Sequence, residues 1–191
     1  MEDGQDTTVG GQVSGKPALR TRLLAARAAQ DPARRAAADR DRDRVLAGLL
    51  DGARVAAYVS FGTEPGTSGL LTAGHLVPVV LPDRDLDWVA HGGGGRLGPD
   101  AVADCDVVLV PALAVDRRGV RLGRGGGSYD RALRRARGLV VALLHEGELV
   151  DALPGQAHDV PVHAVALPSG LVRVGGGGGA APGPAAGTLG R

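Results

Sequence analysis

The residues of this chain best suited to chemistry lie in one stretch, Arg121-Leu-Gly-Arg-Gly-Gly-Gly-Ser-Tyr-Asp-Arg131. Consecutive glycines leave backbone N–H groups bare, and bare amides can cradle phosphate oxygens. Arg121 and Arg124 flank them with planar guanidinium forks whose geometry matches those oxygens. Asp130 adds a carboxylate suited to a metal ion that accompanies phosphates. The stretch follows an apolar run, residues 107–110, that reads as a buried strand. It leads into an Ala/Leu/Arg-rich run, residues 131–137, that reads as a helix. The start of such a helix would add partial positive charge, with Ser128 as its cap. These residues alone leave two readings open, a nucleotide-phosphate site and a structural turn, because a glycine triplet among 32 glycines is often only a linker. Common nucleotide signatures do not fit: the loop has no lysine for a P-loop, and Ser128 stands where a dinucleotide fingerprint has glycine.

A loop of this kind needs a framework to hold it. The 191 residues suffice for one domain with a real core, expected over residues 16–173. The polar, glycine-rich residues 1–15 and the Gly/Ala/Pro tail 174–191 are expected to be disordered. Lys16-Pro17 opens a helix with Leu19, Leu23 and Ala26 on one face, and Asp31-Pro32 starts a second that runs to Leu50. Within it, residues 39–44 alternate Asp and Arg and read as an exposed charged face. Beyond Arg54, apolar runs at 55–59, 76–81, 86–89, 107–110, 139–144 and 162–166 read as strands, the last of these closing the fold. Residues 67–73 read as a short helix. Continuous apolar strands between helices predict an α/β fold with a mainly parallel sheet covered on both faces.

Composition narrows the function. Only 2% of residues are aromatic, so Ala, Val and Leu must fill the core. A net charge of +1 gives no basic excess for nucleic acid, and the wealth of arginine reads as a coding bias. Cys105 is the single cysteine, which excludes an internal disulfide and a cysteine zinc site and reads as a small residue at a strand entrance. No run reaches the length of a membrane span and no signal-peptide core is present, so a cytoplasmic protein is expected. Asp116, before Arg117-Arg-Gly119, reads as part of a tight turn.

Residues 108–133, with the loop at their centre, resemble the signature of 5-formyltetrahydrofolate cyclo-ligases (5,10-methenyltetrahydrofolate synthetases). Three further motifs fall in the same order: Lys16 with Arg20, Glu64-Pro-Gly-Thr67, and Leu153-Pro154 followed by His158-Asp-Val-Pro-Val162. The chain differs from many members in carrying Ser128 where they have an aromatic residue, His163 where an acid is common, and a short segment between Trp88 and Asp104. The resemblance implies a three-layer α/β/α sandwich related to sugar-isomerase and CoA-transferase-like domains. It implies ATP-dependent cyclisation of 5-formyltetrahydrofolate to 5,10-methenyltetrahydrofolate, with ADP and phosphate formed through phosphorylation of the formyl oxygen and attack by N10. The partners implied are this reduced folate, ATP as co-substrate and Mg²⁺, with no nucleic acid and no membrane; a monomer is expected.

Residue by residue, the resemblance assigns Lys16, Arg20, Arg121, Leu122, Gly123, Arg124, Gly125, Gly126, Gly127, Ser128 and Tyr129 to ATP. Arg124 through Ser128 would also border the folate, Glu64 would bind the pterin, and Asp130 and Asp159 would hold Mg²⁺. Arg121 and Arg124 would act on the transferring phosphoryl group. Plainer readings stand beside these. Lys16 and Arg20 fit solvated helix positions, Glu64 an ordinary loop acid, Asp130 a first-turn helix acid, Asp159 a turn. His158 and His163 fit structural histidines better than metal ligands. Two other classes stay open: a catalytically inactive ATP- or folate-binding relative, and a sugar-phosphate isomerase-like enzyme on the same fold.

Overall fold

A computed structural model of the chain describes residues 15–155 and 159–175. Helix α1 (Lys16–Ala28) begins with proline in its first turn, where a missing N–H costs nothing. Helix α2 (Pro32–Leu50) starts as Asp31-Pro32 dictates, with the Asp31 carboxylate accepting from the Arg34 amide at 2.9 Å. Strands β1 (Val55–Ala57), β2 (Leu76–Val80) and β3 (Leu86–Ala90) follow, then a 3₁₀ segment over Pro99–Asp104. Next come β4 (Val107–Pro111), β5 (Ala114–Asp116), β6 (Arg121–Leu122) and helix α3 (Ser128–Leu133). The chain continues through β7 (Leu139–Leu143), β8 (Leu149–Val150), β9 (Ala164–Leu167) and β10 (Gly170–Arg173).

Seven strands form one sheet in the order β10-β9-β7-β4-β1-β2-β3. Its five inner strands are parallel, and the two edge strands, β10 and β3, run antiparallel to their neighbours. This is an α/β fold with a mostly parallel central sheet. Alternate residues of the inner strands feed two cores. Val55, Ala57, Val107, Leu109, Val141 and Leu143 pack with Leu46 of α2. Ala56, Val108, Val110, Val140 and Ala142 pack with Trp88, Val102 and Leu133 of α3. Burial of both faces is why these strands are apolar at every position rather than at every second one.

Several expectations are corrected. Residues 67–73 form no helix: the Thr67 carbonyl accepts from the Leu70 and Leu71 amides in a single turn. The Thr67 hydroxyl is engaged instead with Ser60 N and Tyr58 O, and glycines flank the turn. The third residue of the α1 face is Leu24 beside Leu19 and Leu23, while Ala26 is exposed. Helix α3 spans Ser128–Leu133 rather than residues 131–137. The strand expected at 162–166 is β9, which starts two residues later and ends one later, and β10 follows it as a further strand. A second small sheet, β6-β5-β8, was not expected at all; its strands of two or three residues are too short for a periodic pattern. Asp116 keeps its turn role there, accepting from the amides of Arg118, Val120 and Leu153. Of the flanks expected to be disordered, only Gly15, Val174 and Gly175 are among the described residues, and the Val174 and Gly175 amides donate to His163 and Arg117 carbonyls.

The alternating run at 39–44 is not uniformly exposed. Arg42 is fully buried, donating through Nη1 to Asp39 at 2.7 Å and through Nη2 to the Leu144 carbonyl at 3.0 Å. A two-residue alternation on a helix of period 3.6 must bring some members to the core side, and Arg42 lies four residues before the buried Leu46. Arg44 stays in solvent, paired with Asp41. Replacing Arg42 with Ala is expected to lower unfolding free energy by about 3 kcal/mol, since it strands buried acceptors. Arg44→Ala is expected to change it by less than about 0.5 kcal/mol. Urea midpoints of the two variants check this contrast.

Candidate functional site

The sheet order reverses between β1 and β4. From β1 the chain builds outward through β2 on one side, and from β4 it builds through β7 and β9 on the other. Loops leaving the carboxyl ends of two such strands diverge, and the crevice between them is where open α/β sheets take ligands. A cleft of about 470 Å³ opens there, within the range of small-molecule sites. Tyr58, Val59, Phe61 and Glu64 line it after β1, and Pro111, Ala112 and Leu113 line it at the end of β4.

Every expected site residue lines this one cleft: Lys16, Arg20, Glu64, Arg121, Leu122, Gly123, Arg124, Gly125, Gly126, Gly127, Ser128, Tyr129, Asp130 and Asp159. Residues 16, 20 and 27 recur at helical spacing, so α1 presents Lys16, Arg20 and Arg27 along one side to the cleft. Arg20 donates through Nε to the Gly123 carbonyl at 2.9 Å, which ties the helix to the glycine loop. Gly125 and Gly127 adopt φ of 102° and 71°, a region in which side chains other than glycine are strained.

The immediate surroundings of the loop differ from expectation. It follows β6 of the small sheet, with β5 and β6 inserted between it and β4. Gly127 is the N-cap of α3, and Ser128, the first helical residue, makes no capping bond. A helix of 6 residues also sums few peptide dipoles. Anion attraction here therefore falls to side-chain cations and the loop's own amides.

Three of these cations are paired with carboxylates of the same cleft. Arg121 Nη2 lies 2.7 Å from Asp130 Oδ1. Arg124 Nε lies 3.1 Å from Glu64 Oε1, and Lys16 Nζ lies 3.3 Å from Asp159 Oδ2. Rings back two of the guanidinium groups: Arg124 sits 4.6 Å from the centroid of Phe61, and Arg121 5.8 Å from that of Tyr129. Burial pushes the Tyr129 phenol well above its usual range against the pull of Arg121, so it stays neutral. Its hydroxyl has no hydrogen-bond partner among the described residues.

Sequence reasoning missed Arg27, Tyr58, Val59, Phe61, Pro78 and Val80 in the cleft wall. Only Arg27 carried a signal, its place seven residues after Arg20 on the same helix. His163 is structural: its Nδ1 accepts from the Val140 amide at 2.9 Å. His158 lies outside the described residues, and no cluster of three or more His, Cys, Asp or Glu fit for a metal occurs among those described. Cys105 is buried outside this cleft.

The sequence model of the 5-formyltetrahydrofolate cyclo-ligase family matches residues 12–168. The 5-formyltetrahydrofolate cyclo-ligase of Mycolicibacterium smegmatis is 40% identical over 151 residues, 64% of this chain and 78% of that protein. The enzyme of the same name from Escherichia coli is 42% identical over 67 residues, 34% of this chain and 37% of that one. Among solved structures, the 5,10-methenyltetrahydrofolate synthetase of Aquifex aeolicus superposes with a TM-score of 0.72 at 23% identity, covering 91% of this chain and 99% of that one. The synthetase of Mycoplasma pneumoniae gives 0.69 at 19% identity, with 81% and 99% covered. At these identities the two structures share the fold with this chain.

Burial pushes the Cys105 thiol up to about 11, so at pH 8 it is protonated and a poor nucleophile. A disulfide reagent at pH 8 is expected to label the native protein far more slowly than the urea-unfolded one. Cys105→Ala is expected to leave turnover unchanged, and comparing the two labelling rates and the variant's kcat tests both points.

Proposed function

The chain belongs to the 5-formyltetrahydrofolate cyclo-ligase family, and we propose that ATP and the reduced folate meet in the cleft between the ends of β1 and β4. The enzyme closes 5-formyltetrahydrofolate to 5,10-methenyltetrahydrofolate with ATP, forming ADP and phosphate. One observation carries the placement: Lys16, Arg20, Arg121 and Arg124, from two distant parts of the chain, converge on a single glycine-lined cleft. Such a convergence of cations and bare amides suits a polyphosphate better than any neutral ligand.

The chemistry follows from a poor leaving group. The formyl oxygen attacks the γ-phosphorus, and the bond from that phosphorus to the bridging oxygen of ADP breaks. N10 then attacks the formyl carbon, the carbon–oxygen bond breaks, and phosphate departs with the formyl oxygen. The N10 proton passes to water. Neither step needs a side-chain nucleophile, so the protein's work is placement and charge stabilisation. Arg121 and Arg124 offset charge that builds on the phosphoryl oxygens. Lys16, Arg20 and the loop from Arg121 to Tyr129 hold the triphosphate, and Arg124 through Ser128 border the folate. Glu64, an acceptor-only carboxylate, receives N–H groups of the pterin.

Asp130 and Asp159 fit Mg²⁺ by donor chemistry. Both line the cleft, and Mg²⁺ is ordinarily held by one or two carboxylates together with substrate phosphates. When bound, the ion supplies charge neutralisation at the phosphate oxygens. The buried cores on both sheet faces support a three-layer α/β/α sandwich akin to sugar-isomerase and CoA-transferase-like domains. We further assign one domain over residues 16–173, acting as a cytoplasmic monomer. Among the described residues no helix is long and apolar enough to cross a membrane.

Purified protein mixed with Mg-ATP and 5-formyltetrahydrofolate is expected to develop methenyl absorbance, and none would refute the reading. Arg124→Ala is expected to lower kcat on the order of a hundredfold, the scale of a lost donor to transition-state charge. Asp130→Asn and Asp159→Asn are each expected to raise the Mg²⁺ concentration needed for half-maximal rate, read from a metal titration.

A further inference from the structure

The loop that carries Glu64 is tied down on both sides of that residue. The Tyr58 hydroxyl donates to the Pro65 carbonyl at 2.6 Å, and the Gly66 amide donates to Asp39 at 2.8 Å. On the other side, Nε2 of His145 lies 3.1 Å from the Thr63 carbonyl. A carbonyl only accepts, so the ring carries a proton on Nε2. His145 is 3% exposed, and burial holds its pKa below the ordinary imidazole range, so the ring is neutral at physiological pH.

The ring does not hang free. The His145 amide donates to Glu148 Oε2 at 2.9 Å. Both Glu148 oxygens in turn receive Arg27, Nε on one and Nη2 on the other, each at 2.7 Å. Arg27 Nη2 also donates to the Ala112 carbonyl at the end of β4. A continuous buried chain therefore runs from α1, the helix that carries Lys16 and Arg20, to the peptide just before Glu64. A buried fork against a carboxylate is among the stiffest contacts available to side chains.

We propose that His145 is a positioning residue for the folate: its Nε2–H grips the Thr63 carbonyl and so fixes where the Glu64 carboxylate meets the substrate. The proposal rests on Glu64 as the folate-binding acid. Of the cations assigned to phosphate, Lys16, Arg20 and Arg121 make their contacts to Asp159, Gly123 and Asp130, away from the Glu64 loop, so loss of the grip falls on the folate far more than on ATP.

The test is steady-state kinetics of the full chain with each substrate varied in turn. His145→Leu, which removes the donor, is expected to raise KM for 5-formyltetrahydrofolate about three- to tenfold, the scale of one hydrogen bond. KM for ATP should stay within about twofold. His145→Gln, whose side chain returns an N–H at similar reach, is expected to recover most of the loss, whereas the shorter His145→Asn is not. Equal rises in both KM values, or Gln no better than Asn, would overturn the proposal. If the Leu variant melts below the assay temperature, the Gln and Asn pair decides alone. Glu64→Gln is the control. If it leaves the folate KM unchanged, the reading of Glu64 fails and takes the proposal with it. If it raises that KM and His145→Leu does not, only the proposal fails.

Discussion

Cations crowded into one cleft repel one another and, left unbalanced, would push its walls apart. This protein meets that constraint by giving cations of the cleft carboxylates from the same cleft: Arg121 has Asp130, Arg124 has Glu64 and Lys16 has Asp159. The Lys16 and Arg124 pairs join distant parts of the chain. Lys16–Asp159 links α1 to the segment before β9, and Arg124–Glu64 links the glycine loop to the loop after β1. In the Lys16 and Arg124 pairs, charge balance and tertiary assembly are thus the same contact.

The sheet decides where these segments can meet. Because β1 and β4 are neighbours whose chains leave in opposite directions, the space beyond their ends cannot be filled by a crossover helix. Helix α1 closes part of this space from outside the sheet, docked by the buried Arg27–Glu148 fork and by Arg20 on the Gly123 carbonyl. Leu19, Leu23 and Leu24 add apolar contact with the small-sheet core around Leu113 and Leu122. The helix therefore needs the small sheet as its seat, and that sheet in turn delivers Arg121 and the glycine loop.

What the sequence disclosed follows from how local each signal is. The inner strands announced themselves because burial on both faces makes residues such as 107–110 and 139–143 continuously apolar, and Asp31-Pro32 marked a helix start through purely local capping. The small sheet was invisible because Arg121–Leu122 and Leu149–Val150 are two residues each, and only their pairing makes them strands. Arg42 was misjudged because its acceptor, the Leu144 carbonyl, lies 102 positions away. In the site, the glycine loop's own residues left a phosphate cradle and a structural turn both open. Lys16, Arg20, Glu64 and Asp159 were legible through family resemblance alone, since a lone charged residue in a helix or loop has no distinguishing pattern. His145 and Glu148 escaped both routes, and Arg27 offered only its spacing from Arg20: their meaning lies in contacts across the fold, as when Arg27 meets Glu148 over 121 positions.

The pairing also bears on how the proposed reaction would proceed without a large rearrangement. Under the assigned roles, phosphate oxygens take over the cations while Asp130 and Asp159 turn to the metal and Glu64 to pterin N–H groups. Each charge then exchanges one partner for another instead of being stripped of water afresh, which is the costly step for a buried ion. Glu64 shows why the exchange must be complete. Its side chain is only 6% exposed, so drawing Arg124 onto a phosphate would leave Oε1 without that donor, with the Phe61 amide still on Oε2 at 3.2 Å. Under the assigned roles, N–H groups of the pterin would take that place.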